Sequence, residues 1–422
     1  MGRMVAMKAR PAATGDAEFH PFVASNGAAV VDHPNLAVRI HNLDEIGRAY
    51  GAGAKRAAAD HVTTVLKFPL RGGDHPGLAE YVLRRLSERP VAYDGQRFHL
   101  VVSLAPTSAN GGCANIASTV HGNPAFPDDA WCRSYRADMA LAVNLFDAMA
   151  EGRIALAWQP VRNADDPSQI MYHECLLRTV DPQATTTQGA INSAGPMIEA
   201  LERLGLVRAL DRYIMAEAIE ELRGDASREI AVNISAQSMV EDHWWINNLD
   251  ALAQSPPIGR RLYIEITETA LFPSMADAAD FARRLRSFGC QIVLDDFGTG
   301  HAAIRSILAL DPEVVKIDKF FVHHAKLSEM GRRTLAHMIG LAESLGALVV
   351  VEGVESAADS RMAREAGARW QQGYHLGLPS ISRPWRVGAA GVSPIRGAEA
   401  IGYRRIAPVS TTGLNGALPQ LA

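Results

Sequence analysis

The sequence of 422 residues lacks any apolar run long enough to cross a membrane, and its first 20 residues lack the continuous apolar stretch of a secretory signal. Cysteine is scarce, and its positions show neither paired spacing nor a Cys-x-x-Cys metal knuckle. These absences favour a cytoplasmic protein with no membrane partner, whose cysteines are free thiols in a reducing compartment. The four cysteines are Cys113, Cys132, Cys175 and Cys290.

Positive charge is not in excess either. The formal net charge of -4 argues against general affinity for DNA or RNA, which depends on neutralising many phosphates. Any nucleotide partner should therefore be small and held by a specific pocket. The hydrophobic share of 48% and the charged share of 21% are typical of a globular protein with a large core.

The length exceeds that of one ordinary domain, which predicts two folded units. Residues 1–20 are expected to be a flexible leader, and residues 21–128 a small α/β domain ending in a Ser-, Asn-, Gly- and Pro-rich segment. A helix over 135–151 opens the second unit, which we place at residues 135–385. Residues 386–422 lose periodicity and are expected to form a C-terminal tail.

The second unit alternates short apolar runs with longer helical patterns over 194–222, 276–288, 302–308 and 332–345. Seven or eight such runs favour a (β/α)8 barrel over an open sheet, so the predicted class is α/β with a TIM-like barrel. The predicted strands are 154–158, 170–177, 230–234, 262–266, 292–294, 314–317, 348–351 and, more weakly, 373–376.

Almost every predicted strand ends in an oxygen ligand or a cation, and Asp295-Asp296 is the most conspicuous case. Any one of these residues alone could equally be a capping group or half of a surface ion pair. In a barrel, however, all strand ends meet at one rim, where catalytic residues lie. The residues in question are Gln159, Glu174, Arg178, Asn233, Glu265, Glu268, Asp295, Asp296, Lys316, Asp318, Glu352, Glu355 and Gln372.

The oxygen ligands in this set include no thiolate and no recurring histidine, so a bound ion should be hard: Mg²⁺ or Mn²⁺ before Zn²⁺. Asp296 can bridge to a second ion, and two ions a few ångströms apart can activate a water and hold both reacting oxygens of a phosphodiester. Arg178 and Lys316 supply positive charge. Glu352 is available as a base or as an organiser of the metal-binding loop.

Seven ordered motifs between Arg136 and Pro379 resemble those of EAL-domain cyclic di-GMP phosphodiesterases. The resemblance implies a barrel with one antiparallel strand that hydrolyses cyclic di-GMP to pGpG with two Mg²⁺ or Mn²⁺ ions. The motifs are Glu174-Cys175-Leu176-Leu177-Arg178, Asn233-Ile234-Ser235, Glu265-Ile266-Thr267-Glu268, Asp295-Asp296-Phe297-Gly298-Thr299-Gly300, Lys316-Ile317-Asp318, Glu352-Gly353-Val354-Glu355 and Gln372-Gly373.

The resemblance also implies roles for single residues. Lys316 is similar to the family's water-orienting lysine and Glu352 to its catalytic glutamate, while Asp296 matches the ligand of the second ion. A homodimer through the barrel is expected. The ligands of the first ion match Glu174, Asn233, Glu265 and Asp295; the expected substrate contacts are Gln159, Arg178 and Gln372; the expected loop-stabilising residues are Glu268, Asp318 and Glu355.

Two positions depart from the family pattern. Cys175 replaces the Ala of Glu-Ala-Leu, a small volume change that packing should tolerate. The loop after Asp296 reads Gly300-His301-Ala302-Ala303 where the family usually has Gly-Tyr-Ser-Ser, which puts the loop and dimer contacts in doubt.

The first unit faintly resembles a GGDEF diguanylate cyclase domain, at 43–50, at Gly72-Gly73-Asp74 and at 99–104. Aligning Tyr50 with that family's Tyr-Gly puts Arg39 where a metal-binding Asp is expected and Gly47 where a guanine-reading Asn is expected. We therefore interpret it as a degenerate, inactive GGDEF-like domain, with a coincidental Gly-Gly-Asp turn as the alternative.

Three functions remain open from the sequence. The leading one is a phosphodiesterase that lowers cyclic di-GMP. Its main rival is a non-catalytic receptor that binds the dinucleotide and signals through the first unit or a partner. The third is a scaffold with neither activity. Every expected metal and base position is filled, which favours the enzyme.

Overall fold

The computed structural model describes residues 22–23, 29–33, 36–66, 78–105, 128–181, 183, 191–267, 272–299 and 303–383. The expectations for the leader, the tail, the Gly72-Gly73-Asp74 turn, Glu268 and His301 lie outside these residues. Among the described residues, no helix combines the length and the apolar composition needed to span a bilayer.

The first unit is an antiparallel sheet with three helices and a hairpin. Four strands pair in the order β1-β2-β3-β6, and β4 pairs with β5. The helical pattern over 43–65 in the sequence forms two helices, because Gly51 between them has a φ of 95°. In chain order the elements are β1 (Phe22–Val23), β2 (Ala29–His33), β3 (Leu36–Ile40), α1 (Leu43–Tyr50), α2 (Ala52–Leu66), α3 (Leu78–Ser87), β4 (Val91–Tyr93), β5 (Gln96–Phe98) and β6 (Val102–Ala105).

Helix α4 (Asp129–Ala150) begins six residues before the predicted start, because the Asp128 side chain caps it by accepting a hydrogen bond from the Trp131 N–H. Its buried face packs on the first unit, where the Asn42 amide donates to the Tyr135 hydroxyl at 3.4 Å. A second face meets the barrel through an ion pair between Asp138 and Arg203 at 2.8 Å. The helix is therefore shared by both units.

The second unit contains nine described strands and nine described α-helices. The predicted helix over 194–222 is broken at Gly205, whose φ is 73°. After α4 the elements are β7 (Ile154–Asn163), β8 (Ile170–Val180), β9 (Ile191–Ser193), α5 (Gly195–Leu204), α6 (Val207–Gly224), β10 (Ile230–Ile234), α7 (Ile246–Ala253), α8 (Pro256–Gly259), β11 (Leu262–Thr267), α9 (Met275–Ser287), β12 (Gln291–Phe297), α10 (Ala303–Leu310), β13 (Val314–Ile317), α11 (Lys319–Leu327), α12 (Glu329–Ser344), β14 (Leu348–Val351), α13 (Ala357–Glu365) and β15 (Trp370–Gln371).

Eight of these strands close into a barrel. They follow the order β10-β11-β12-β13-β14-β15-β7-β8, and a parallel pairing of β8 with β10 completes the ring. Strand β7 runs antiparallel to both neighbours, and the other neighbouring pairs are parallel. The predicted barrel with one antiparallel strand is confirmed. The predicted strand over 373–376 is wrong by three residues, because that segment turns and Gly377 N–H bonds back to Gly373.

The inside of the barrel has two layers, because side chains alternate between the two faces of a strand. The lower layer is apolar and forms a core separate from the one beneath the helices; it includes Val161, Tyr172, Ala231, Val293, Val314 and Val350, with Tyr263 and Trp370 packed against it. Each strand places a polar residue two positions away, toward the rim. This upper layer consists of Gln159, Glu174, Asn233, Glu265, Asp295, Lys316, Glu352 and Gln372.

Candidate active site

A fully buried lysine lies among the polar residues of the upper layer. The ammonium of Lys316 has no solvent exposure and contacts four carboxylates, three on other strands and one just past the end of β14. Burial alone would lower the pKa of Lys316, but these negative charges raise it well above its usual value, so the lysine stays charged. The distances from Nζ are 2.7 Å to Glu352, 3.2 Å to Glu265, 3.2 Å to Asp295 and 3.4 Å to Glu174.

Glu174 is the carboxylate with the most hydrogen-bond donors around it. Its Oε1 accepts from the Asn233 amide at 2.7 Å, and its Oε2 accepts from the Gln372 amide at 2.5 Å. Burial acts to raise the pKa of Glu174, but the Lys316 ammonium and these two amides outweigh burial and lower it. Gln159, opposite Glu174 on β7, donates to the Gly377 carbonyl at 3.1 Å.

Glu265 has the opposite environment. It is completely buried, and its Oε1 has no hydrogen-bond partner among the described residues. Burial, together with the charges of Glu174 and Asp295, raises its pKa well above the usual value despite Lys316. Burial likewise raises the pKa of Asp295, and it raises that of Glu352 to about 8. These three acids lack the positive charge that would keep them all ionised.

Asp296 reaches the same site as Asp295 because β12 is irregular there. Successive strand residues normally point to opposite faces, but Asp296 has a left-handed φ of 56° and the register with β13 shifts between Leu294 and Phe297. Carboxylate oxygens of Asp295, Asp296 and Glu352 consequently lie within 4.8 Å of one another. Burial, and then the charges of Asp295 and Asp318, raise the pKa of Asp296 to about 7.

The donor set fits hard divalent cations. Two acidic groups share Asp295: Glu174 with Glu265, and Asp296 with Glu352, each with ligand oxygens within 4.8 Å. Five carboxylates thus lie around one ammonium, and Glu265 Oε1 has no hydrogen-bond partner within the part of the chain that the structure describes. Carboxylate and amide oxygens without thiolate or imidazole are the ligands of Mg²⁺ and Mn²⁺. Two such ions would supply the missing positive charge.

The remaining predicted site residues lie at the edge of this centre. Arg178 is half-buried, and its guanidinium donates to the Leu177 carbonyl rather than to an acid. Asp318 caps α11 by accepting from the Phe320 N–H at 2.8 Å. Glu355 lies on an exposed turn, where its N–H donates to the Asp359 carboxylate. The structure therefore brings the eight upper-layer residues and Asp296 together, but not Arg178 or Glu355.

Two supporting features were not foreseen from the sequence. The turn after Asn233 is held by Asp211 on α6, which accepts from the Ser235 N–H at 3.0 Å and the Ser238 hydroxyl at 2.6 Å. No local pattern signals this contact, because the partners come from different elements. The second feature is Tyr172, which lies directly below the acids in the lower layer. The sequence does give a sign of this position, because Tyr172 precedes Glu174 by two residues and their side chains therefore point to the same face of the strand.

Comparisons with known proteins agree with this geometry. A family model described as the EAL domain matches residues 142–379. An uncharacterized signaling protein of Caulobacter vibrioides is 29% identical over 333 residues, which cover 74% of this chain and 40% of that protein. The cyclic di-GMP phosphodiesterase NbdA of Pseudomonas aeruginosa is 26% identical, over 72% of this chain and 40% of NbdA.

Among solved structures, the PaMucR phosphodiesterase in complex with c-di-GMP is 25% identical and has a TM-score of 0.51. The match covers 57% of this chain and 97% of that structure. The chain spans about two fifths of the length of the two curated relatives it matches.

Proposed function

The chain belongs to the EAL domain family, and from that premise we propose that its barrel hydrolyses cyclic di-GMP to the linear dinucleotide pGpG, lowering this second messenger. The observation that carries the proposal is the completeness of the polar layer. Four acids contact Lys316, and the Asn233 and Gln372 amides contact Glu174. The names of NbdA and PaMucR support the same substrate.

We assign two Mg²⁺ or Mn²⁺ ions to the acidic groups. Glu174, Asn233, Glu265 and Asp295 would hold the first ion and Asp296 the second, with Asp295 reachable from both. When bound, the ions activate water and neutralise the oxygens of the reacting phosphodiester. The irregular end of β12 supports this assignment, because it turns two successive carboxylates toward one place.

Lys316 and Glu352 are the side chains to which we assign the catalytic steps. Glu352 Oε1 lies 2.7 Å from Lys316 Nζ, so the lysine orients this carboxylate and favours its ionised form. Burial raises the pKa of Glu352 to about 8, and positive charge held by the neighbouring acids would lower it, so that the ionised carboxylate could accept the proton that the attacking water loses. Lys316 also points a positive charge at the place where this water would lie.

Substrate binding is assigned to residues around this pair. Gln159 and Gln372 line the buried floor of the site, and the Arg178 guanidinium at the rim can fork onto a phosphate. Asp318 lies beside Asp296, and Glu355 begins the turn into α13, which supports loop-stabilising roles for both. The same role is proposed for Glu268 from its motif alone.

The test is to incubate purified protein with cyclic di-GMP and Mg²⁺ and to follow pGpG by chromatography. Glu352→Gln should abolish turnover and retain dinucleotide binding, because only the charge is lost. Glu365→Gln, on the exposed face of α13, is the matched control and should behave as the wild type. Binding without turnover in the wild type would support the receptor instead, and neither activity would support a scaffold.

The other parts of the chain receive proposals of their own. We propose a degenerate GGDEF-like domain at residues 21–128, a barrel domain at 135–385, and a cytoplasmic homodimer formed through the barrel. Large apolar side chains exposed on three successive helices support the dimer. They are Ile304 and Leu308 on α10, Phe320 and Leu327 on α11, and Met330 on α12.

A further inference from the structure

Tyr172 lies inside the barrel, immediately below the acids of the upper layer. It precedes Glu174 by two residues on β8, so both side chains point inward. The residue is completely buried, and its ring lies 4.5 Å from the ring of Tyr263, centroid to centroid. The ring therefore has little freedom, and its hydroxyl is held in one region of the barrel interior.

The Tyr172 hydroxyl makes no hydrogen bond of ordinary geometry among the described residues, which is unusual for a buried tyrosine. The other members of its layer include Val161, Ala231 and Val293, whose side chains cannot accept a hydrogen bond. The neighbouring Tyr263 hydroxyl is already used, since it donates to Glu229 Oε2 at 2.9 Å. An acceptor must therefore come from the layer above.

Glu265 offers that acceptor. Its Oε2 is 3.2 Å from Lys316 Nζ, whereas its Oε1 has no partner among the described residues. The two groups already influence each other: burial, and next the charge of Glu265, raise the pKa of Tyr172 well above its usual value. Burial is the largest influence on the pKa of Glu265 and raises it, while Tyr172 lowers it.

We propose that Tyr172 is a positioning residue, whose hydroxyl donates to Glu265 Oε1 and so keeps Oε2 directed at the centre of the acidic group. One donor fixed below the carboxylate leaves one oxygen to ligate an ion and removes the freedom of the side chain to rotate away. Hydrogen-bond partners of this kind behind a ligand are known to strengthen metal binding. The inference rests on the proposed function, because it concerns a ligand of the proposed first ion.

The test is Tyr172→Phe, which removes one oxygen atom and keeps the ring. The purified full chain is titrated with Mn²⁺ alone in a calorimeter. The variant should bind Mn²⁺ with an affinity about tenfold lower than that of the wild type. The Tm measured in EDTA should fall by only a few degrees, because the variant loses a single hydrogen bond that contributes about 1 kcal/mol. Excess Mn²⁺ should restore turnover of cyclic di-GMP, which a merely structural defect would not allow.

Tyr263→Phe is the matched control. It removes the same atom from the neighbouring ring, and the Tyr263 hydroxyl bonds to Glu229 rather than to a carboxylate of the site. Its Mn²⁺ affinity should equal that of the wild type. Unchanged affinity in Tyr172→Phe, or an equal loss in both variants, would overturn the inference.

The two proposals fail in different ways. If the wild type binds no Mn²⁺, both the metal assignment and the role of Tyr172 are overturned. If Mn²⁺ binds and Tyr172→Phe weakens it, but no pGpG is formed, the role of Tyr172 stands and only the proposed hydrolysis fails.

Discussion

Two carboxylates of the same site should respond in opposite directions to the same chemical change. Glu174→Gln should destabilise the protein in the absence of divalent ions, whereas Glu265→Gln should stabilise it. The reason is the direction of each pKa: that of Glu174 is lowered and that of Glu265 is raised. A raised pKa means that the folded state holds its proton more tightly than the unfolded chain. Ionisation of Glu265 above its ordinary value of 4.5 therefore opposes folding.

The size of each effect follows from the contacts. Glu174 accepts two amide hydrogen bonds, and a glutamine would turn its own NH₂ toward one of those donors. Hydrogen bonds to charged groups contribute about 1.5–3 kcal/mol each, so we expect a loss of about 2–4 kcal/mol. Glu265→Gln relieves repulsion from Glu174 and Asp295, for an expected gain of about 1 kcal/mol. For a barrel of this size each kcal/mol moves the Tm by about 2–4 °C.

The assay is thermal or urea unfolding at pH 7.5 in EDTA, with Glu365→Gln as the exposed control. When the measurements are repeated with Mn²⁺, the Tm of the wild type should rise more than that of either variant. An ion that binds only the folded state adds to its stability. Shifts of the same sign in both variants would refute the reasoning, since they would show that burial outweighs the specific contacts of Glu174.

Three further predictions concern other parts of the molecule. Gly298→Ala should lower stability by about 1–2 kcal/mol and weaken turnover, because Gly298 has a φ of 97° and an added Cβ would lie 2.7 Å from the Phe321 ring; unfolding and pGpG assays test this. Burial raises the pKa of Asp211 to about 7, so its stabilising effect is present below pH 3.8 and lost as the pH rises through 7. Relative to Asp211→Asn, the wild type should therefore lose up to about 4 kcal/mol between low pH and pH 8, and a constant difference in urea unfolding would contradict this. Leu308→Glu should convert the proposed dimer to a monomer in sedimentation velocity, because Leu308 is 67% exposed on α10; an unchanged dimer would place the interface elsewhere.

Much of the barrel could be predicted from the sequence because its strands are short, continuous apolar runs. The predicted bounds 230–234, 314–317 and 348–351 agree with β10, β13 and β14. A strand buried on both faces has this pattern regardless of what packs on it. Strands β7 and β8 are longer than predicted, because their far ends pair with each other and with β9, a partner that no local pattern reveals.

The residue types of the site could also be predicted from the sequence, since each polar residue lies at or near one end of a predicted strand. Their arrangement depended on closure of the barrel: Lys316 and Glu174 are 142 residues apart in the chain and 3.4 Å apart in space. Closure also decided which acid is stabilised, because the donors to Glu174 come from β10 and from just past β15, while no amide among the described residues donates to Glu265 Oε1. The pKa of a buried carboxylate depends on the charges and donors around it, and these are known only once the strands are placed in space.

The Asp295-Asp296 pair shows most clearly what the sequence and the tertiary structure each contribute. The chemistry of this pair, two carboxylates before a glycine turn, is a property of the sequence alone. Only the tertiary structure decided that both reach one site, because pairing of β12 with β13 slips there and Asp296 adopts a left-handed backbone. The same holds for Tyr172, because only closure of the barrel buries its side chain in the layer below the acids.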